Sequence, residues 1–194
     1  GISADKIVVT GIPISPDFLR RVPQEQARAE FDLDPHTATL LIMGGSQGLG
    51  PLQEMVDLLA DRPYQIVITA GLNRDLFRSL QQRYKKHPRV HVLGYTKKVG
   101  TLMDAADMLI TKPGGLTSSE ALAKGLPMII TNPIPGQEER NARYLLKQGV
   151  AEQADEPEDI VRLVHSLFHH PSKLKRMADK SRGVAHPYAA MEVA

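Results

Sequence analysis

The chain has 194 residues, of which 42% are hydrophobic and 24% are charged, and its formal net charge is +2. This length suits one soluble globular domain, and the absence of cysteine excludes disulfides, thiolate metal sites and a cysteine nucleophile. The balanced charge argues against a nucleic-acid-binding surface. The absence of cysteine is consistent with the cytoplasmic location that we expect. No apolar run approaches the ~20 residues that a membrane-spanning helix needs.

Apolar runs of strand length alternate with amphipathic stretches along the chain. The predicted strands lie at residues 6–10, 37–43, 64–70, 89–94, 107–111 and 127–131. The predicted helices lie at residues 51–61, 73–87, 97–106, 117–125, 137–149, 157–171 and 172–182. Because the strand runs are almost continuously apolar, they are typical of parallel strands covered on both faces. The alternation predicts an α/β fold, with a three-layer, Rossmann-like parallel sheet and helices on both faces.

This pattern predicts one domain over residues 1–182 and a C-terminal tail, 183–194, that is less ordered or binds a partner surface. The first apolar run begins a few residues from the N-terminus, so we expect the chain to be a fragment of a longer protein. Basic clusters at 83–89, 97–98 and 173–176 are interpreted as solvated helix faces or loops. Contact of one cluster with a membrane surface is the weaker alternative.

The loop MGGSQGLG, after the strand predicted at 37–43, is the first candidate binding element. Ligands of open parallel sheets bind beyond the carboxyl ends of the strands. The candidate residues in this loop are Gly44, Gly45, Ser46, Gln47 and Gly48. Its glycines let backbone amides approach a ligand, and the following helix N-terminus favours an anion. The spacing fits neither the dinucleotide fingerprint nor the P-loop, and a tight strand-to-helix turn is the alternative.

The loop TKPGGLTSSE is the second candidate. Gly114 and Gly115 free two amides, Lys112 adds a charge, and the helix predicted from Thr117 adds its dipole. Two such loops on one sheet edge predict a site for a diphosphate, or for one phosphate held from two sides. Glu120 has two interpretations. It closes a capping box with Thr117, which contributes about 1 kcal/mol, or it accepts hydrogen bonds from vicinal hydroxyls such as a ribose diol.

The stretch NPIPGQEERNARYL is the third candidate. Glu138 and Asn141 are three residues apart and share a helix face, with Gln137 beside them. Carboxylate and amide groups together donate and accept hydrogen bonds, which suits the hydroxyls of a sugar. A polar helix start without a ligand is the alternative.

These motifs resemble those of a known family. GGSQG at 44–48 resembles a stretch in the C-terminal half of glycosyltransferase family 28, including the peptidoglycan enzyme that adds GlcNAc to an undecaprenyl-linked precursor. Residues 105–145 are more similar to bacterial processive diacylglycerol glucosyltransferases and plant monogalactosyldiacylglycerol synthases. Those enzymes have PGQE..N where the peptidoglycan enzyme has a Gln-Gln pair. VTGIPI at 9–14 is also similar to the segment that follows their interdomain linker, so the resemblance extends over most of the chain.

The resemblance implies one half of a GT-B enzyme, in which two Rossmann-like domains enclose the active site and the C-terminal domain binds a UDP-sugar donor. The residues that would face the diphosphate are Gly44, Gly45, Ser46, Gly115, Leu116 and Thr117. Glu120 matches the glutamate that binds the ribose hydroxyls. Gln137 and Glu138 match the pair that contacts the sugar ring, and Tyr95, in the loop GYTKKV, would lie beside the uracil.

In this family the acceptor site and the general base belong to the N-terminal domain. We therefore expect this chain to bind the donor and to transfer little or no sugar alone. The whole enzyme would transfer a hexose, with inversion, from a UDP-sugar to a lipid acceptor such as diacylglycerol, with peripheral contact at the inner face of the membrane. Fixed amides and helix dipoles would stabilise the leaving diphosphate without a metal or other cofactor. Asp32 and Asp34 superficially match a metal-binding Asp-x-Asp, but we interpret them as turn residues at the wrong edge of the sheet.

Three alternatives stay open at this point. A UDP-GlcNAc transferase of the peptidoglycan type is disfavoured by the PGQE motif. A separate UDP-sugar-binding subunit that recruits a membrane partner would account for a chain of this length. A redox Rossmann domain is the weakest alternative, because the loop spacing is wrong and no acidic residue follows at ~20 residues.

Overall fold

The computed structural model describes residues 2–48 and 50–193, and six parallel strands form one sheet at its centre. The strands are β1 (Thr39–Met43), β2 (Gln65–Thr69), β3 (Val90–Leu93), β4 (Met108–Thr111), β5 (Met128–Thr131) and β6 (Ala151–Ala154). Their order is β3-β2-β1-β4-β5-β6, and every neighbouring pair is parallel. The chain builds outward from β1 to β3 and then crosses back to β4. The order therefore reverses between β1 and β4, and the predicted α/β architecture is confirmed.

Helices connect the strands and cover both faces. They are α1 (Gln24–Glu30), α2 (Leu52–Leu59), α3 (Arg74–Tyr84), α4 (Val99–Ala105), α5 (Gly115–Lys124), α6 (Gln137–Gln148), α7 (Pro157–His169), α8 (Pro171–Val184) and α9 (Ala189–Val193). Asn73 caps α3, since its side chain accepts a hydrogen bond from the Leu76 amide at 2.9 Å. Helices α5 and α6 end at left-handed glycines, Gly125 and Gly149, with φ of 68° and 66°.

The apolar core consists of two layers, one on each face of the sheet. Successive strand residues point to opposite faces, so Leu40 and Ile42 pack into one layer with α2 and α7. Leu41 and Met43 pack into the other layer with α4 and α5. All five residues of β1 and of β2 are buried, which explains why these strands are apolar, or nearly so, along their whole length.

The strand predicted at 6–10 is wrong. Residues 7–15 have no regular structure, and the side chains of Val8 and Val9 are 81% and 82% exposed. A short apolar run indicates burial or an apolar surface, but it does not reveal whether a sheet edge is available for it. In contrast, β6 and α1 were not predicted, because the sequences AEQA and QEQARAE lack the continuous apolar run and the clear amphipathic stripe that marked the other elements.

A buried ion pair holds the segment before β1 against the helices that cover the sheet. Lys124 Nζ lies 2.6 Å from Asp104 Oδ2, and these side chains are only 1% and 7% exposed. The same ammonium donates to the Arg20 carbonyl, and Asp104 also accepts from the Val22 amide at 3.1 Å. The pair therefore fixes the backbone of this segment to α4 and α5.

The C-terminal region contains more helix than the predicted tail suggests. Helix α8 continues to Val184, and α9 follows, with Ala189 fully buried. Residue 194 lies outside the described residues. Throughout the part of the chain that the structure describes, no helix has the length and apolar character needed to traverse a bilayer.

Candidate functional site

The two glycine-rich loops leave the sheet side by side. In the register of β1 and β4, Met43 pairs with Thr111, so both strands end at the same level. Adjacent strands are ~4.8 Å apart, and the two loops therefore begin within one strand spacing of each other. A Cβ added to Gly50 would lie 3.6 Å from Lys112 Cε, so the lysine side chain extends to the first loop. The loops occupy the position at which the strand order reverses, where open α/β sheets bind ligands.

The first loop is supported from behind by the loop that follows β2. The Leu72 amide donates to the Ser46 carbonyl at 2.8 Å, and a Cβ on Gly71 would lie only 2.3 Å from that carbonyl oxygen. The Gly48 amide closes the turn onto the Gly45 carbonyl at 3.1 Å. A Cβ on Gly45 would meet nothing within 4 Å. The loop thus has a packed rear and an open front at Gly45, while Leu49 lies outside the described residues.

Helix α5 begins two residues earlier than the sequence predicts. Gly114 is the N-cap residue, with φ −66° and ψ 141° and no side-chain cap, and the first helical bond joins the Ser118 amide to the Gly114 carbonyl at 3.0 Å. The first amides of a helix have no partner within it. Those of Gly115, Leu116 and Thr117 therefore point out of the helix N-terminus. These are the three residues that the resemblance assigns to the diphosphate.

The early start of α5 overturns the capping-box interpretation of Glu120. Thr117 is the third residue of the helix and not its cap, and Glu120 lies in the second turn. The Glu120 carboxyl group is partly buried and has no hydrogen-bond or charge partner within residues 2–48 and 50–193. Burial raises the pKa of Glu120 to about 7. A partly buried carboxyl group without an internal partner is available to a ligand.

The start of α6 lies against the second loop. Asn141 Nδ2 donates to the Pro113 carbonyl at 2.9 Å, and Gln137 Nε2 lies 3.9 Å from the position that a Cβ of Gly115 would take. The Glu138 carboxylate accepts a hydrogen bond from the Ile134 amide at 2.8 Å. Asn141 thus fixes the turn that begins α5, whereas Glu138 fixes the proline-rich turn before α6.

Tyr95 and the Asp-x-Asp pair lie at opposite edges of the sheet. Tyr95 follows β3, is 61% exposed, and belongs to the same edge as the glycine loops. Strand β3 lies two spacings from β1, or ~10 Å. Asp32 and Asp34 precede β1, at the amino ends of the strands. The Asp34 carboxylate accepts a hydrogen bond from the His36 amide, and this bond lowers the pKa of Asp34. No group of three or more metal-ligating side chains occurs among the described residues.

The sequence interpretation missed one contact of the second loop. Ile12 packs so closely that a Cβ on Gly115 would lie 2.8 Å from Ile12 Cδ1. The segment 9–14 was recognised only by its resemblance, because an irregular segment has no periodicity that reveals its packing partner. A larger residue in place of Gly115 would therefore have to displace the end of the Ile12 side chain.

The candidate site lies in a part of the chain that matches a known protein family. Residues 39–193 match the glycosyltransferase family 28 C-terminal domain. The chain belongs to glycosyltransferase family 28. The match contains both glycine loops, Tyr95, Glu120 and the start of α6, so the candidate site falls within the family's own domain.

Family 28 relatives with high similarity share one name. The processive diacylglycerol beta-glucosyltransferase of Staphylococcus saprophyticus is 38% identical over 196 residues, which cover 100% of this chain and 50% of that protein. The enzyme of the same name from Staphylococcus carnosus is 36% identical over 191 residues, covering 97% and 49%. The chain therefore spans about half the length of the curated relatives it matches.

Solved structures with the same fold include glycosyltransferases of the GT-B class. Acinetobacter baumannii MurG matches with a TM-score of 0.69 and 23% identity, over 91% of this chain and 53% of that one. WaaG, a glycosyltransferase involved in lipopolysaccharide biosynthesis, matches with a TM-score of 0.71 and 18% identity, over 97% and 53%. Anabaena Alr3699/HepE, crystallised with UDP-glucose, matches with a TM-score of 0.67 and 16% identity, over 92% and 52%. At these identities the likeness shows the fold, and this chain has the fold of one half of such a protein.

Proposed function

We propose that this chain is the donor-binding half of an inverting glycosyltransferase that transfers a hexose from a UDP-sugar to a lipid acceptor such as diacylglycerol. The observation that carries the proposal is the pair of glycine loops at the crossover between β1 and β4. The name shared by the Staphylococcus relatives supports the lipid acceptor. The complex of Alr3699/HepE with UDP-glucose, in a protein of the same fold, supports the donor.

The diphosphate would lie between the loops. The amides of Gly115, Leu116 and Thr117 point out of α5, and the dipole of this ten-residue helix adds a partial positive charge. Gly45 offers an open surface on the other side, and Lys112 provides a full charge between the loops. Preorganised donors of this kind stabilise the charge that develops on UDP as the anomeric carbon is attacked. We propose that they do so without a metal ion or other cofactor.

The other parts of the donor would extend along the same edge of the sheet. Glu120 would accept hydrogen bonds from the ribose hydroxyls, for which its unpaired carboxylate is suited. Gln137 and Glu138 would contact the sugar ring from the start of α6. Tyr95, exposed beyond β3, would lie beside the uracil. In this arrangement Asn141 acts through the Pro113 carbonyl, which it holds in place.

The acceptor site and the general base would lie outside this chain, in an N-terminal half or in a partner chain. The relatives are about twice as long as the matched region, which supports this assignment. We therefore propose that this chain alone binds the donor and transfers little or no sugar. Peripheral contact with the inner face of a membrane would belong to the complete protein, in which the donor and a lipid must meet.

Isothermal titration calorimetry with UDP, UMP, UDP-glucose, UDP-galactose and UDP-GlcNAc tests this function. We expect UDP to bind more tightly than UMP, because the second phosphate adds contacts to the helix amides and to Lys112. Excess EDTA should leave the UDP affinity unchanged. Equal affinities for UDP and UMP, or no binding of either, would contradict the proposal.

A UDP-GlcNAc transferase of the peptidoglycan type is the second candidate, because MurG has the same fold. The higher identity to the Staphylococcus enzymes and the PGQE motif favour the first. Preferred binding of UDP-GlcNAc in the same titrations would reverse that order. NADH should be titrated as well, because the strand order of this sheet also occurs in dinucleotide-binding domains.

A further inference from the structure

A cavity lies at the amino ends of the strands, opposite the carboxyl ends that carry the glycine loops. It has a volume of about 730 Å³ and opens between α7 and the connection from α2 to β2. Ala38 and Tyr64, which directly precede β1 and β2, form its floor, and Leu58, Val161 and Phe168 contribute to its walls. The length of β1 separates this cavity from the glycine loops. It is therefore distinct from the proposed donor site, and its size is typical of a cavity that binds a small molecule.

The inner walls of this cavity are apolar and aromatic. The rings of Tyr64 and Phe168 pack 5.3 Å apart at 45°. Leu58, Val161 and Phe168 lie at the margin of the core and are only partly buried. Each methylene of a ligand that is buried on such a surface increases affinity by about fourfold. The walls thus favour an alkyl chain.

The cavity contains a tyrosine hydroxyl group that is accessible from it. The side chain of Tyr64 is 94% buried, since its exposed fraction is 6%. Its hydroxyl forms no hydrogen bond to any residue that the structure describes, and burial raises the pKa of Tyr64 to about 12. The hydroxyl is therefore a hydrogen-bond donor at neutral pH. Because no residue that the structure describes accepts a hydrogen bond from it, the hydroxyl can donate to an acceptor atom of a ligand in the cavity.

The rim of the cavity carries more basic than acidic side chains. It carries Arg62, Arg162, His165 and His169, and Glu158 is the only carboxylate among the described residues that line the cavity. Arg162 is engaged by an ion pair at 2.8 Å within α7, whereas Arg62 forms no ion pair in the described part of the chain. Arg62 lies close enough to Tyr64 to oppose the effect of burial on the tyrosine pKa. A positive charge thus lies near the Tyr64 hydroxyl.

We propose that this cavity binds the anion of a fatty acid with a chain of about ten carbons or more. The carboxylate accepts hydrogen bonds from the Tyr64 hydroxyl and the Arg62 guanidinium, and the alkyl chain lies against Leu58, Val161 and Phe168. A single carboxylate has two acceptor oxygens, which match one hydroxyl and one free guanidinium. Because α7 bounds the cavity on one side, the cavity suits a single alkyl chain better than it suits the surface of a bilayer.

Calorimetric titration of the whole chain with decanoate, below its micelle concentration, tests the proposal. Decanol, which lacks the charge, and butanoate, which lacks the chain, are the comparison ligands. We expect decanol to bind about tenfold more weakly than decanoate, the factor expected from one charge-assisted hydrogen bond. Butanoate should show no heat of binding. Equal affinities for decanoate and decanol would overturn the proposal, and so would competition between decanoate and UDP.

Two variants test the assigned residues separately. Tyr64→Phe keeps the ring in the core and removes only the hydroxyl, and Arg62→Ala alters an exposed side chain, so both should keep the fold and thermal transition of the parent chain. Each should weaken decanoate binding by about tenfold. The matched controls Tyr188→Phe and Arg78→Ala, at exposed positions that do not line the cavity, should bind decanoate normally. Unchanged decanoate affinity in folded Tyr64→Phe and Arg62→Ala would refute the site.

Discussion

Glu120 illustrates how one residue can match two sequence patterns. Its spacing from Thr117 fits a capping box, and local propensity alone gives no reason to reject it. The pair fails as a cap because Pro113 and Gly114 allow α5 to start two residues earlier, at Gly115. The carboxyl group is then left in the second turn, partly buried and unpaired within the described residues. Its destabilising environment is what the proposed contact with the ribose hydroxyls would relieve.

The unpaired carboxyl group of Glu120 should make the stability of the chain depend on pH. Burial raises its pKa to about 7 in the folded chain, whereas the ordinary value of 4.5 applies to the unfolded chain. Between pH 4.5 and 7 the folded chain therefore binds a proton at Glu120 that the unfolded chain has released. The free energy of unfolding should therefore fall as pH rises from 4.5 to 7 on account of this group. Glu120→Gln, which cannot ionise, should melt at a higher temperature than the parent chain at pH 8 and at nearly the same temperature at pH 5.

The exposed Glu25 provides a matched control for that thermal melting experiment. Glu25→Gln should change the melting temperature by a similar, small amount at both pH values. A Glu120→Gln chain that melts below the parent at pH 8 would show that the carboxylate has a stabilising partner in solution.

The same ionisation should control the affinity for UDP. Because an ionised carboxylate accepts two hydrogen bonds from vicinal hydroxyls, UDP affinity should increase as pH rises from 6 to 8. Glu120→Gln should weaken UDP binding at pH 8 by about 1.5–3 kcal/mol, the contribution of hydrogen bonds to a charged group. It should also reduce the pH dependence to that of the UDP phosphate. Titrations of both chains at three pH values measure this, and an unaltered affinity in Glu120→Gln would exclude the ribose role.

At the scale of the elements, five strands could be predicted because residues such as Leu40 and Leu41 pack into different layers and are both buried. The same reasoning failed at Val8 and Val9, because burial of an apolar run depends on a neighbour that the run itself does not encode. Strand β6 was missed for the converse reason, since AEQA pairs with β5 through its backbone and only its two alanines are buried. The glycine loops were placed correctly because they directly follow well-predicted strands.

The support behind the first glycine loop makes a prediction about two glycines. Gly45 and Gly71 both have positive φ, 70° and 57°, so alanine strains the backbone at either position. Only at Gly71 would the new methyl group clash, at 2.3 Å from the Ser46 carbonyl oxygen. Gly71→Ala should therefore unfold at lower urea concentration than Gly45→Ala and should bind UDP more weakly than the parent chain. Equal midpoints for the two variants would show that the two loops do not support each other.

The buried ion pair between Lys124 and Asp104 should contribute strongly to stability. Lys124→Met leaves a buried carboxylate without its cation, which typically costs about 3–5 kcal/mol. The exposed pair of Lys175 and Asp179 offers a control, because Lys175→Met should cost at most about 1 kcal/mol. Urea denaturation of both variants measures the difference. A similar loss in the two chains would mean that the segment containing Arg20 and Val22 is not fixed by this pair.

At the scale of the whole molecule, the sheet collects groups that are far apart in sequence at one edge. Residues 44–48, Tyr95, Glu120 and Gln137 lie on separate elements, but each follows the carboxyl end of a parallel strand. This much could be predicted, because parallel strands place all their following loops on one side. The cavity at the amino ends of the strands could not, since Tyr64 and Phe168 are separated by about a hundred residues and neither lies in a recognisable motif.

The share of the relatives' length that this chain spans leads to a prediction about activity. A site that binds only the donor provides no general base, so no group accepts the proton of the attacking acceptor hydroxyl. The chain alone should therefore bind UDP-glucose but show no transfer to diacylglycerol in mixed micelles above the rate without protein.

A chimera in which this chain replaces the matched half of the Staphylococcus saprophyticus enzyme provides the positive control for that assay. The chimera should transfer glucose, and Glu120→Gln in the chimera should reduce kcat/KM by at least the factor lost in UDP binding, since a ribose contact is retained in the transition state. Turnover by the isolated chain, at rates of about 1 per second or more, would place the acceptor site and the base within these residues. An inactive chimera that still binds UDP would mean instead that the two halves of the cleft must match each other.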